Sequence, residues 1–197
     1  MLIFKNFNIA DWFSFYRIFA APFLLVLIGF DERLIFTWFL LLSYSTDAID
    51  GYLARKLKIT SQRGSQLDSI GDQVTLLVGL VGLSYFETTF IKNNLIIILI
   101  AFIPYIIQMF MAYFKYGKAT AFHTYLAKLS AVIQGVFILW ALFLSPEMVL
   151  FYIMIVLGIL ETIEEIALIF MYDNWASDVK SIYYAFKDNR RFKKMNE

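Results

Sequence analysis

Four aspartates within one short run carry the most chemistry this chain offers: Asp47, Asp50, Asp68 and Asp72. They stand in the pattern D-x2-D-G-x2-A-R-x8-G-x3-D-x3-D, with Gly51, Ala54, Arg55 and Gly64 at its other fixed positions. Spacings of three and four residues place each pair on one face of a helix. The segment between the pairs, Lys56 to Arg63, is basic and polar and reads as a short turn. Two antiparallel helices would then gather all four carboxylates at one membrane surface. Carboxylates at close range repel one another unless a cation neutralises them. An all-oxygen donor set suits a hard divalent ion, Mg²⁺ or Mn²⁺. Gly51 and Gly64 have no Cβ, which lets a helix or a ligand approach closely. Arg55, one turn past Gly51, can hold a phosphate through two parallel hydrogen bonds. Carboxylates, metal, glycine and arginine together suggest a pyrophosphate-bearing substrate and phosphoryl transfer.

This spacing resembles the signature of the CDP-alcohol phosphatidyltransferases and departs from it nowhere between residues 47 and 72. A second stretch, Asp11-x2-Ser14-x2-Arg17 followed by Pro22, is similar to that family's N-terminal pattern, usually Asn-x2-Thr-x2-Arg. Asp11 and Ser14 are departures from it. The resemblance implies a site for two metal ions, with Asp47, Asp50 and Asp68 as ligands. Asp72 would be the general base and would also touch metal. It further implies that Asp47, Gly51, Ala54 and Arg55 line the nucleotide pocket. The donor would be CDP-diacylglycerol, the acceptor a small alcohol, the leaving group CMP and the assembly a homodimer.

The elements that must position these residues are apolar. Of 197 residues, 60% are hydrophobic, 19% aromatic and only 17% charged, whereas a soluble domain carries about 25% charge. The fold expected is an all-α integral membrane domain, one domain over residues 1–197. Net charge is +1, so nothing points to nucleic acid, and the absence of cysteine rules out disulfides. The first residues carry no cleavable signal pattern. Residues 1–13 mix Phe4, Phe7 and Trp12 with Lys5, Asn6, Asn8 and Asp11, as a short interfacial helix would. Six apolar stretches follow, at 14–30, 35–55, 65–86, 94–114, 124–144 and 148–171, each near the ~20 residues a span needs. Pro104 lies inside the fourth.

Six spans put both termini on one side. All of the 17 Lys and Arg residues except Arg33 and Lys92 fall on the side of the aspartate motif. The excess of positive charge makes that side cytoplasmic, with the protein in the bacterial inner membrane. The tail, 172–197, is polar and basic and would lie along anionic headgroups. Gly79 and Gly82 read as helix-packing residues in the third span.

For the acceptor, Arg63, Lys118, His123, Lys128 and Arg17 could bind a phosphorylated polyol such as glycerol 3-phosphate or inositol phosphate. His123 is the only histidine, so no histidine metal site exists. Phosphatidylglycerophosphate synthases in the family usually have Pro where Ser69 stands and Lys where Gln73 stands. Glu161, Glu164 and Glu165 share one face inside the sixth stretch, where acids need a polar cavity or a pairing with Lys128 or Arg17. Three rivals remain. A CDP-amino-alcohol transferase acting on diacylglycerol would use the same motif. An ion or proton transporter would leave Gly51, Ala54 and Arg55 unexplained. A non-catalytic scaffold would bind metal at most.

Overall fold

Long apolar runs broken by short polar segments give helices throughout the described residues, with one isolated β-bridge. The computed structural model describes residues 9–57, 62–177 and 179–187; within these, the side chains of 9–11, 13–14, 47–48, 50–57 and 62–69 lie outside the description. The helices are α1 (Ile9–Gly29), α2 (Arg33–Leu57), α3 (Gln62–Phe86), α4 (Thr88–Asn93), α5 (Leu95–Tyr116), α6 (Tyr125–Phe143) and α7 (Met148–Met171), followed by a short α8 (182–187). The six long helices fall on the six apolar stretches. Two of them, α5 and α6, are long and apolar enough to cross a membrane, and α1 and α3 carry shorter apolar runs, Phe15–Gly29 and Ile70–Phe86. Two boundaries differ from expectation. The break expected near residue 13 is absent, because α1 runs unbroken from Ile9. The polar stretch after Glu87 coils into α4. Pro104 lies inside α5, as it lies inside the fourth apolar stretch.

The chain divides into two compact units. The first comprises residues 1–90 and 138–146, the second 91–137 and 147–197. In the first unit α1 packs on α2 and α3, and α2 on α3. Phe36 of α2 meets Gly82 and Phe86 of α3, while Leu40 and Tyr44 meet Gly79. Rising numbers on α2 meet falling numbers on α3, so the two helices are antiparallel. Asp31, with φ 60°, makes the turn between α1 and α2, a conformation that aspartate tolerates better than most residues. Arg33, one of the two basic residues expected on the poorer side, has a structural task. Its guanidinium donates to the carbonyls of Ala141 and Leu142, both at 2.8 Å, and pairs with Glu87 at 2.6 Å.

Gly79 and Gly82 are packing residues, as their spacing suggests. A Cβ on Gly82 would overlap the ring of Phe36, a fully buried side chain. Gly82→Ala should therefore lower stability by about 1–3 kcal/mol, the usual cost of overpacking. The check is the thermal midpoint of the purified protein, where Phe36→Leu in the same background should recover part of the loss. An unchanged midpoint in the single variant would refute this packing.

In the second unit α5 packs on α7. Gly117 ends α5 in the left-handed conformation, φ 69°, and Glu147 caps α7 by accepting from the Leu150 amide at 2.7 Å. The tail is not a solvated extension through its first part. Trp175 Nε1 donates to the Ala119 carbonyl at 3.0 Å, Ala121 bridges Ser177, and the Tyr125 amide donates to the Lys180 carbonyl at 3.1 Å. Val179 and Ala185 join a core with Ala112, Phe122, Leu168 and Ile169. Apolar burial explains why this basic segment folds back over the 117–124 connection.

Candidate functional site

The run of aspartates divides between two helices of the first unit. Positions 47, 50, 51, 54 and 55 are on the C-terminal part of α2, and 63, 64, 68 and 72 on the N-terminal part of α3. At 1.5 Å of rise per residue, the antiparallel register seen at Phe36 and Tyr44 brings the backbone of 47–50 alongside about residues 70–74. Of the motif, Asp72 has a described side chain. Those of Asp47, Asp50, Ala54, Arg55, Arg63 and Asp68 lie outside the described residues, as do Asp11 and Ser14. Among the described residues no three acidic or histidine side chains stand together.

What the structure adds at Asp72 is its partner. Arg17 of α1 donates through Nη1 to Asp72 Oδ1 in a charge-assisted hydrogen bond. The arginine side chain is only 1% exposed, whereas that of Asp72 is 49% exposed. Arg17 is therefore a buried charge, and Asp72 is one of the groups that receive it. Gly71 makes this approach possible. A Cβ there would stand 3.2–3.4 Å from Nε, Cζ and Nη2 of Arg17, so the guanidinium lies against the bare α3 backbone. Gly71 was legible as a small residue beside Asp72, yet nothing in its spacing says that an arginine fifty-four residues earlier covers it.

The second unit holds the other basic candidates. The Lys118 ammonium lies 3.7 Å from the centroid of the Trp175 ring, a cation–π contact supplied by the folded-back tail. His123, exposed, takes a positive φ of 52° just before α6. Lys128 is exposed in the first turn of α6. These three share one connection and its following turn, as the sequence suggested.

Of the polar cavity or pairing with Lys128 or Arg17 expected for Glu161, Glu164 and Glu165, polar neighbours are what Glu164 and Glu165 find. Arg17 belongs to Asp72, and among the described residues no ion pair links Lys128 to any of the three glutamates. Neutral donors serve instead. Glu165 Oε2 accepts from Gln108 Nε2 at 2.6 Å and from Thr120 Oγ1 at 2.7 Å. Glu164 Oε1 accepts from the Ile182 amide at 3.0 Å. The first contact ties the 117–124 connection to α5 and α7, and the second pins the tail, so these acids act within the scaffold of their own unit.

Comparison with known proteins identifies the family. A sequence profile described as CDP-alcohol phosphatidyltransferase matches residues 7–163. A protein of Wigglesworthia glossinidia brevipalpis is 29% identical over 191 residues, covering 92% of this chain and 96% of its own length. A protein of Haemophilus influenzae is 32% identical over 88 residues, 43% of this chain and 48% of its own. One of Cereibacter sphaeroides is 36% identical over 80 residues, 39% of this chain and 36% of its own. All three bear the name CDP-diacylglycerol–glycerol-3-phosphate 3-phosphatidyltransferase. The profile spans α1 through most of α7 and includes both members of the Arg17–Asp72 pair, and the chain accordingly belongs to the CDP-alcohol phosphatidyltransferase family, membrane transferases of phospholipid biosynthesis.

Proposed function

We propose that this protein transfers the phosphatidyl group of CDP-diacylglycerol to a hydroxyl of glycerol 3-phosphate and releases CMP. The observation that carries the reading is the Arg17–Asp72 pair, which joins α1 to α3 where α3 and its antiparallel neighbour α2 share the aspartate signature. The name of the Wigglesworthia relative, similar over nearly its whole length, supports glycerol 3-phosphate as acceptor.

Asp72 takes the proton of the acceptor hydroxyl. That oxygen attacks the phosphorus bearing the lipid, the bond from that phosphorus to the CMP oxygen breaks, and CMP leaves with the bonding electrons. Arg17 orients the Asp72 carboxylate. Asp47, Gly51, Ala54 and Arg55 receive the cytidine diphosphate portion, with Arg55 on a phosphate. The donor set of Asp47, Asp50, Asp68 and Asp72 is entirely carboxylate oxygen, which fits two hard divalent ions, Mg²⁺ or Mn²⁺. Such ions supply charge neutralisation at the pyrophosphate. Arg63, Lys118, His123 and Lys128 are the residues we assign to the acceptor phosphate. The six long helices span the membrane as one domain, with the aspartates at the cytoplasmic surface, where 15 of 17 basic residues lie. The assembly is a homodimer, as the family resemblance implies.

The test is CMP release by purified protein from CDP-diacylglycerol with Mg²⁺ or Mn²⁺. Glycerol 3-phosphate, inositol phosphate, inositol and serine are offered in turn. Glycerol 3-phosphate should stimulate release about tenfold or more over the acceptor-free rate. Because Ser69 and Gln73 depart from the Pro and Lys usual in phosphatidylglycerophosphate synthases, the panel decides the acceptor. Stimulation by inositol phosphate alone would replace it, and stimulation by none would overturn the transfer itself.

A further inference from the structure

Many hydroxyls on the described helices share one habit. Thr37, Ser43, Ser45, Thr46, Ser84 and Thr162 each donate to a carbonyl three or four residues back in their own helix. That bond satisfies a hydroxyl in apolar surroundings. Thr75 breaks the habit. It is 3% exposed, and its Oγ1 is buried with no hydrogen-bond partner among the described residues. A buried hydroxyl in that state carries a desolvation cost that folded chains avoid unless it serves a purpose.

Its position names the purpose. Thr75 lies three residues past Asp72, on the same face of α3. Further along that face, Gly79 and Gly82 are covered by Tyr44, Leu40 and Phe36 of α2. Behind it, Asp72 is held by Arg17. Thr75 thus stands one step deeper than the carboxylate, about 4.5 Å along the helix axis, and Leu76, Leu77 and Val78 follow it. A diacylglycerol whose phosphate is at Asp72 offers hydrogen-bond acceptors in that direction at its ester groups and nowhere below them.

We propose that the Thr75 hydroxyl donates to a glycerol-ester carbonyl of the lipid substrate, and so fixes the depth at which the lipid phosphate stands against Asp72. This deepens the phosphatidyl-transfer reading and rests on it. Thr75 is on this account a specificity residue for ester lipids over ether lipids.

The experiment compares CMP release, with glycerol 3-phosphate as acceptor, from CDP-diacylglycerol and from its dialkyl ether analogue, which has no ester carbonyl. Wild-type protein should favour the ester lipid in kcat/KM by about 3- to 10-fold, the range of one neutral hydrogen bond. Thr75→Val, of nearly the same volume, should lose that preference by falling on the ester lipid alone. Thr75→Ser should restore it. The thermal midpoint of Thr75→Val should not fall, since the substitution removes an unpaired buried hydroxyl. If Val disturbs folding, Thr75→Ala provides a second hydroxyl-free variant. A preference retained in a folded hydroxyl-free variant, or an equal loss on both lipids, overturns the assignment. Wild-type protein that releases no CMP from either lipid refutes the transfer reading, and the Thr75 assignment with it. Normal wild-type turnover with an unchanged Val variant refutes the Thr75 assignment alone.

Discussion

Asp72→Asn should cut CMP release from CDP-diacylglycerol by about 10²–10⁴-fold, the contribution typical of a positioned general base. The amide cannot take a proton from the acceptor hydroxyl, yet its carbonyl oxygen still accepts a hydrogen bond from Arg17. That distinction matters because Arg17 is 1% exposed. A variant that removed every acceptor at position 72 would take a partner from a buried guanidinium and report on folding as well as on catalysis. Asn keeps the side-chain shape, so the thermal midpoint should fall little while the rate collapses. Asp72 is also 49% exposed, and solvent dilutes whatever the pair contributes to stability. Asp68→Asn, one turn earlier on the same helix, should lose activity on a comparable scale if the two carboxylates serve one site. A wild-type-like rate for Asp72→Asn in folded protein would remove it as the base.

The same pair marks how far the sequence could be read. The aspartate signature was legible because its spacing is a local property of two helices, and a period of three or four residues carries its own geometry. The six long helices were legible because runs of about 20 apolar residues bounded by Asp31-Glu32-Arg33, Lys115–Lys118 and Ser145-Pro146-Glu147 leave few alternatives. What escaped is pairwise and distant. Arg17 announced itself as a charge near a span, and its partner could have been the acceptor or Glu161, Glu164 and Glu165. The structure gives Asp72, made reachable by Gly71. Glu165 looked like an acid in need of a cation, but Gln108 and Thr120 satisfy it. The tail read as a segment lying along anionic headgroups because it is polar and basic. Three apolar or aromatic residues in it, Trp175, Val179 and Ala185, fold its first part back onto the second unit. In each case composition gave the need for a partner and only the fold gave the partner.

Arg17→Met should then behave as the loss of a positioning residue and not of an acceptor-binding one. Met fills a comparable apolar volume without leaving a new buried charge. The Asp72 carboxylate keeps its position on α3 but loses the guanidinium that fixes its direction. Misplacing a catalytic group by about 1 Å can cost on the order of 10²-fold, and kcat should drop by that order. The KM for glycerol 3-phosphate should stay within about twofold, because a side chain this deeply buried on Asp72 does not reach a soluble acceptor. Arg17→Lys should rescue poorly, since an ammonium lacks the planar fork that lies flat over Gly71. The double variant Arg17→Met with Asp72→Asn should be about as slow as Asp72→Asn alone, because two residues acting through one function do not add. The opposite pattern, a tenfold rise in acceptor KM at unchanged kcat, would move Arg17 from the base to the acceptor. Additive losses in the double variant would mean that the two residues work separately, and that the ion pair joining α1 to α3 belongs to the scaffold instead of the reaction.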